Sequence, residues 1–327
     1  MIDRRHASLA VGLGLFVGQQ RGHGQSAPKR RVGVLTLQSR SAFASAGAAL
    51  LQEMTRLGWL EGGNVEYRFA YADGDVNRLD PLVHELLAWN GDALVVGSSQ
   101  GVRAVQHATK TIPVVMAYIS DPVGNGFVAS LARPGGNITG TATLFEDFGG
   151  KILEALHEVL PSARRIAFLI NGSNPSTERY WTRIQRDCAA LDLVAIRVLA
   201  SAPEQLVAAV ESIVRQRAQA VVVLADGMYF EQRTKLQALL EPTRLPVAHG
   251  LNAQVAFGGL LSYAPDVLTS YAHAANYVDK ILRGARPADL PVEQPNKFEL
   301  VINLKTAKAL GLTIPQTVLV RADEVIH

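Results

Sequence analysis

Cysteine is almost absent. Cys188 is the single one in 327 residues, so no internal disulfide can form and no cysteine cluster can hold zinc. It falls at helical spacing with Ile184 and Leu191, where a small buried hydrophobe is a plainer reading than a nucleophile. A strong charge of one sign is also missing: the formal net charge is +3, and Arg4, Arg5 and Arg21 against Asp3 supply most of it within residues 1–26. The remainder is near neutral, with no basic stripe for nucleic acid. The histidines, among them His84, His107, His157 and His273, show neither H-x-x-x-H spacing nor carboxylate pairing, so no metal site is expected. No G-x-x-x-x-G-K-S/T run exists to cradle ATP, and the first strand-to-helix turn, 36–41, has no glycine for a dinucleotide. Asp73-Gly74-Asp75 lacks the glutamate and spacing of a calcium loop and reads as a turn before a capped helix. Neither metal nor cofactor is expected. Beyond the N-terminus no long apolar run occurs, so a soluble mature chain is expected.

The N-terminus reads as a processing signal. Arg4-Arg5-His6 precede the apolar stretch 7–17, which is followed by polar residues and the small pair Ser26-Ala27. That is the layout of a secretory signal peptide over 1–26, too short in its apolar part to span a bilayer. Arg4-Arg5 leaves general secretion and twin-arginine export both open. With no cysteine near the cleavage region, a lipid anchor is not expected.

From Arg31 onward strands and helices alternate. Residues 32–37, 65–71, 93–97 and 113–119 read as strands, and 42–57, 76–89 and 102–109 as helices with one apolar face. The run TIPVVMAYISDPVGNGFVASLARPGGNITG at 111–140 is central. Its strand ends in Ser120-Asp121-Pro122, where proline forbids helix before it and fits the first helical turn after it. A short helix to about Ala132 and a strand at 137–143 are expected. A helix at 145–160 leads to a second set: strands 165–170, 195–200, 220–225 and 246–249 with helices 177–191, 203–216 and 230–240. A strand at 260–263, a helix at 266–282, a Pro-rich link, a strand at 298–302, a helix between Asn303 and Gly311, and a strand at 317–321 complete the chain. Repeated βα units give parallel sheets covered on both faces. The expected fold is α/β, with two doubly wound parallel-sheet lobes: 30–143 plus about 251–286, and 144–250 plus about 290–327. No repeat at 20–50 residues is present.

Ligands in such sheets sit outside the carboxyl ends of strands. The loops there are Gln38-Ser39-Arg40-Ser41, Ser98-Ser99-Gln100, Ser120-Asp121, Asn171-Gly172-Ser173-Asn174 and Asp226-Gly227. Singly, each can be a helix cap; together, at one end of two lobes, they suggest a cleft for a small polar ligand. Ser98, Ser99 and nearby amides suit a carboxylate, and Asp121 suits an ammonium or its own helix start. Phe43, Tyr118, Tyr180 and Tyr229 lie near the loops and are placed either to stack on a ligand or to fill the core. Gly97-Ser98-Ser99-Gln100-Gly101 also matches the G-x-S-x-G nucleophile elbow, with Asp226 and His249 following in hydrolase order, so a secreted serine hydrolase built on Ser99 is the rival reading.

Two long blocks, SDPVGNGFVASLARPGGNITG at 120–140 and LPVEQPNKFELVINLKTAKALGLTIPQTVLVRADEVI at 290–326, supported by KILEALHEVLP and GGLLSYAPD, resemble the ABC-transporter substrate-binding proteins of bacteria. The resemblance covers nearly all of the chain after the signal. It implies a type I periplasmic-binding-protein-like fold with three crossovers as hinge, and ligand contacts from Ser39, Ser98, Ser99, Asp121, Asn171, Asn174 and Asp226, beside the aromatic candidates Tyr118 and Tyr229. It also implies a periplasmic, monomeric, non-enzymatic protein that captures an amino acid or related small molecule and passes it to an ABC permease. A sugar-responsive repressor shares the two-lobe plan, but no helix-turn-helix precedes residue 30.

Overall fold

Strands with helices packed on both faces are buried throughout, and here Ala93–Val96 and Ala220–Val223 are buried at every position. The computed structural model describes residues 28–143, 145–295 and 297–327, so the expected signal peptide at 1–26 lies outside the described residues. The first lobe contains β1 (Arg30–Thr36), α1 (Arg40–Arg56), β2 (Val65–Tyr71), α2 (Leu79–Ala88), β3 (Ala93–Val96), α3 (Ser99–Ala108), β4 (Val114–Ser120) and β5 (Ile138–Thr143). Its parallel sheet runs β2-β1-β3-β4-β5.

The chain then enters the second lobe with α4 (Phe145–Val159), β6 (Arg165–Ile170), α5 (Thr177–Ala190), β7 (Val194–Leu199), α6 (Leu206–Arg215) and β8 (Ala220–Val223). It continues through α7 (Gly227–Glu231), α8 (Arg233–Leu240), β9 (Val247–His249) and β10 (Leu261–Ala264). Next, α9 (Val267–Leu282) returns to the first lobe, before β11 (Glu299–Asn303), α10 (Leu304–Leu310), α11 (Gln316–Leu319) and β12 (Glu324–Ile326) finish the second. The seven-stranded sheet runs β12-β11-β10-β9-β8-β6-β7 and is parallel except between β10 and β11.

The return of α9 is driven by its apolar stripe. Tyr271, Ala274, Ala275 and Val278 share one core cluster with Phe43, Ala46, Leu50 and Met54 of α1, and the Phe43 and Tyr271 rings meet edge-on at 5.1 Å. The described chain therefore passes between the lobes after β5, between β10 and α9, and again before β11. The last passage is tied to β5: the Glu293 amide donates to the Gly140 carbonyl at 3.0 Å, and the Ala142 amide to the Glu293 carbonyl at 2.9 Å.

Three expectations need correction. The stretch 251–286 does not go to the first lobe as a unit: β10 pairs inside the second sheet, the Asn303 amide group donates to the Val255 carbonyl at 3.0 Å, and only α9 crosses back. Hydrophobic periodicity shows that a strand exists, not which sheet it joins. No helix forms after Pro122. Asp121 adopts a left-handed φ of 42°, and Gly126 one of 67°, so the chain makes successive turns instead. Finally, the strand expected at 317–321 is replaced by α11 and, further on, β12. Pro315 sits at the N-cap and directs the chain into a helical turn, overriding the β-branched run after it.

Candidate functional site

A cavity of about 310 Å³ lies between the lobes. It is bounded by loops that follow the carboxyl ends of β1, β3 and β4 from one side and β6, β8, β9 and β10 from the other, the position that open α/β sheets reserve for ligands. Ser98, with extended backbone, caps α3 by accepting a bond from the Gly101 amide at 3.0 Å. The Ser99 and Gln100 amides belong to the first turn of α3, where no intrahelical acceptor exists. Asp266 caps α9, its carboxylate accepting from the Leu268 and Thr269 amides at 2.9 and 3.1 Å. Asp226 caps α7 through the Met228 amide at 2.9 Å.

Asp226 is the node of the site. Its carboxylate also accepts from the Asn171 amide group at 2.9 Å and, across the cleft, from the Gln100 amide group at 3.0 Å. Burial pushes its carboxyl above the usual carboxylate range, while these hydrogen bonds favour the anion and oppose that shift. Among the lining residues there are two carboxylates, Asp226 and Asp266, and no lysine, arginine or histidine.

Aromatic surface comes from Tyr118, Phe230 and Tyr271. Tyr118 owes its place to a bulge: the β4–β5 register shifts between Met116 and Ile119, and Tyr118 sits there at a φ of 61°. Bulges re-aim side chains in this way. Its hydroxyl is buried with no hydrogen-bond partner among the described residues, and burial raises its pKa. Tyr271 passes so close to β3 that a Cβ on Gly97 would lie 1.8 Å from its hydroxyl oxygen. Only glycine fits that approach.

Of the residues singled out from sequence, Ser98, Ser99, Tyr118, Asn174 and Asp226 line the cavity. Asn171 stands one layer behind, holding Asp226. Tyr229 turns into the core and donates to the Ala200 carbonyl at 2.8 Å. Ser39 caps α1, and its amide donates to the Glu231 carboxylate of the opposite lobe at 2.7 Å. Asp121 accepts from the Gly124 amide at 2.9 Å and pairs with Arg179 of the opposite lobe, so it orders its own turn and faces a cation already in the protein. The sequence reading named Gln38 and Gln100 only as members of cleft loops and passed over Phe230, Asn252, Asp266 and Tyr271, and all six line the cavity.

The rival hydrolase triad does not assemble. Ser99 is the first residue of α3, and both Asp226 oxygens are engaged as above. His249 is not a lining residue, and neither ring nitrogen has a hydrogen-bond partner among the described residues. A serine nucleophile needs a histidine within hydrogen-bond reach, oriented by a carboxylate.

The family model described as ABC transporter substrate binding protein matches residues 31–326. A tyrosine-binding protein of Clostridioides difficile is 22% identical over 287 residues, covering 88% of this chain and 82% of that one. A conserved domain protein of Vibrio cholerae has a crystal structure that superposes with a TM-score of 0.86 at 26% identity, over 91% of this chain and 99% of its own. The ABC domain from Streptococcus pneumoniae in complex with L-Trp gives 0.85 at 24% identity, over 91% and 100%.

Proposed function

The chain belongs to the ABC transporter substrate-binding protein family, and on that premise we propose that its cleft captures a zwitterionic amino acid with an aromatic side chain for delivery to a membrane permease. The observation that carries the ligand class is the pattern of helix caps. Two of the four α-helices whose first turns reach the cavity are capped by carboxylates, which neutralise their own N-termini and leave negative charge facing the cavity. The other two, α1 and α3, begin after uncharged serines, and of these α3 is the one whose cap and first two residues all line the cavity. Its first amides therefore suit a ligand carboxylate, while Asp226 and Asp266 suit an ammonium that no protein cation displaces. Tyr118, Phe230 and Tyr271 give the side chain an aromatic wall.

A second acidic group on the ligand would meet two carboxylates and no cation, so dicarboxylic amino acids are disfavoured. A neutral sugar would leave both carboxylates without a counter-charge. The aromatic preference also fits the tyrosine-binding relative and the L-Trp complex. Capture proceeds by closure: ligand bridging the lobes binds the closed form better than the open one, and that difference shifts the population. The protein acts outside the cytoplasm after export on the 1–26 signal, as a monomer, with the closed form as the species the permease receives.

Thermal melting against L-tyrosine, L-phenylalanine, L-tryptophan, L-glutamate and myo-inositol tests this. Aromatic amino acids at a hundredfold excess over Kd stabilise by about 2.7 kcal/mol through mass action and raise the midpoint, whereas L-glutamate and myo-inositol leave it unmoved. A shift with myo-inositol alone would replace the amino-acid reading with a polyol one.

A further inference from the structure

Some of the bonds that hold the lobes together never touch the cavity. They form two clusters. At the β4 end, Arg179 of α5 pairs with Asp121 and donates to the Asn125 side chain, and the Asn125 amide group donates to Ser176 at 2.8 Å. At the β1 end, the Glu231 carboxylate takes the Ser39 amide at 2.7 Å, with the Glu231 side chain lying against Gly74. In the first sheet β1 and β4 stand on either side of β3, whose loop supplies Ser98, Ser99 and Gln100 to the cavity. The two clusters thus flank the ligand space, and none of Ser39, Asp121, Asn125, Ser176, Arg179 or Glu231 lines it.

We propose that Arg179 and Glu231 are affinity-determining positioning residues, a pair of clasps that draws the lobes shut without any ligand. The proposal rests on the reading that ligand is held in the cleft. Every one of these bonds spans the two lobes, so each exists only in the closed form and biases the open–closed equilibrium toward it. The side chains of Arg179 and Asp121 are 41% and 16% exposed, so solvent screens the pair and the bias is partial. The empty protein then exchanges between open and closed forms rather than staying locked. Apparent affinity equals the intrinsic affinity scaled by the closed fraction, which makes these residues determinants of Kd at a distance from the ligand. A chain with the same cavity and weaker clasps would bind the same compound less tightly.

Small-angle scattering of the ligand-free protein tests the clasps directly, with Arg179→Ala/Glu231→Ala set against the wild type. Both side chains reach the surface, and circular dichroism with the melting midpoint checks that the lobes remain folded. The double variant should show a larger radius of gyration than the wild type without ligand. Its Kd for L-tyrosine, used as the probe in calorimetry, should rise about tenfold. Glu231→Gln keeps an oxygen acceptor for the Ser39 amide and should stay near wild type in both readouts, which a purely electrostatic surface effect would not produce. Identical ligand-free scattering from wild type and double variant would overturn the clasp. If L-tyrosine fails to bind the wild type, the amino-acid reading falls, and the ligand-free scattering still decides the clasp.

Discussion

His249 closes β9 with its ring fully buried and neither nitrogen bonded among the described residues. Burial lowers its pKa to about 4 from 6.5, with Gln254 opposing only in part. The unfolded chain therefore takes up a proton as pH falls through 6.5, while the folded chain does not until about 4. Stability from this group is intact above that window and is lost on acidification, by about 2 kcal/mol between pH 7 and pH 5. Urea unfolding at the two pH values measures it, and His249→Leu should flatten the difference; an unchanged slope in that variant would assign the loss to other groups. Gly97 offers a second test. Gly97→Ala forces its methyl into the Tyr271 hydroxyl and should cost about 1–3 kcal/mol by overpacking. Tyr271→Phe removes the clashing oxygen, so the double variant should be more stable than the sum of the single changes allows.

At this scale the site was legible as chemistry and less so as direction. Ser98 and Asp226 could be chosen because a polar residue between a buried strand and a helix has few places to go. Asp121 looked the same in sequence, yet its carboxylate is claimed by Arg179, which lies 58 positions away. Tyr229 and Phe230 are neighbours on α7, and helical geometry points the first into the core and the second at the cavity. Nothing in the local residue types separates the two.

Among the elements, α9 carries the most consequence, because its first turn belongs to the site and its body to the core of the first lobe. Asp266 there combines a structural and a binding role, and one substitution separates them. Asparagine caps helices as well as aspartate does, so Asp266→Asn should hold the unfolding free energy within about 0.5 kcal/mol of wild type while weakening amino-acid binding at least tenfold. Equal affinity in that variant would assign the ammonium to Asp226 alone. The strand-to-helix alternation that brings these caps together was readable from periodicity, and most elements lie where it places them. What escaped has local causes. Gly126 and Asp121, both left-handed, replace the expected helix after β4 with turns, and Pro315 starts α11 inside a run rich in β-branched residues. Asp266 follows Pro265 at a strand end, the reverse of the Asp121-Pro122 order, and reading the polar residue after the strand at 260–263 as a cap, as for Ser120-Asp121, would have found it.

For the whole molecule, two lobes with separate sheets and three passages between them make closure the natural large motion. The two-lobe plan was legible because each βα set repeats the same pattern. The assignment of β10 was not, since a strand followed by a helix that crosses back is indistinguishable in sequence from one that stays. The cavity gathers residues from seven strand ends, so its charge balance is a property of the assembled protein and of no single segment. The most direct test of that balance is calorimetric titration with L-tyrosine, tyramine and 3-(4-hydroxyphenyl)propanoate, which share one ring and differ in which charge they carry. Binding of L-tyrosine at one per chain, with the largest loss in the propanoate that lacks the ammonium and a smaller one in tyramine, is the predicted result. Equal binding of L-tyrosine and the propanoate would contradict a cleft built around an ammonium.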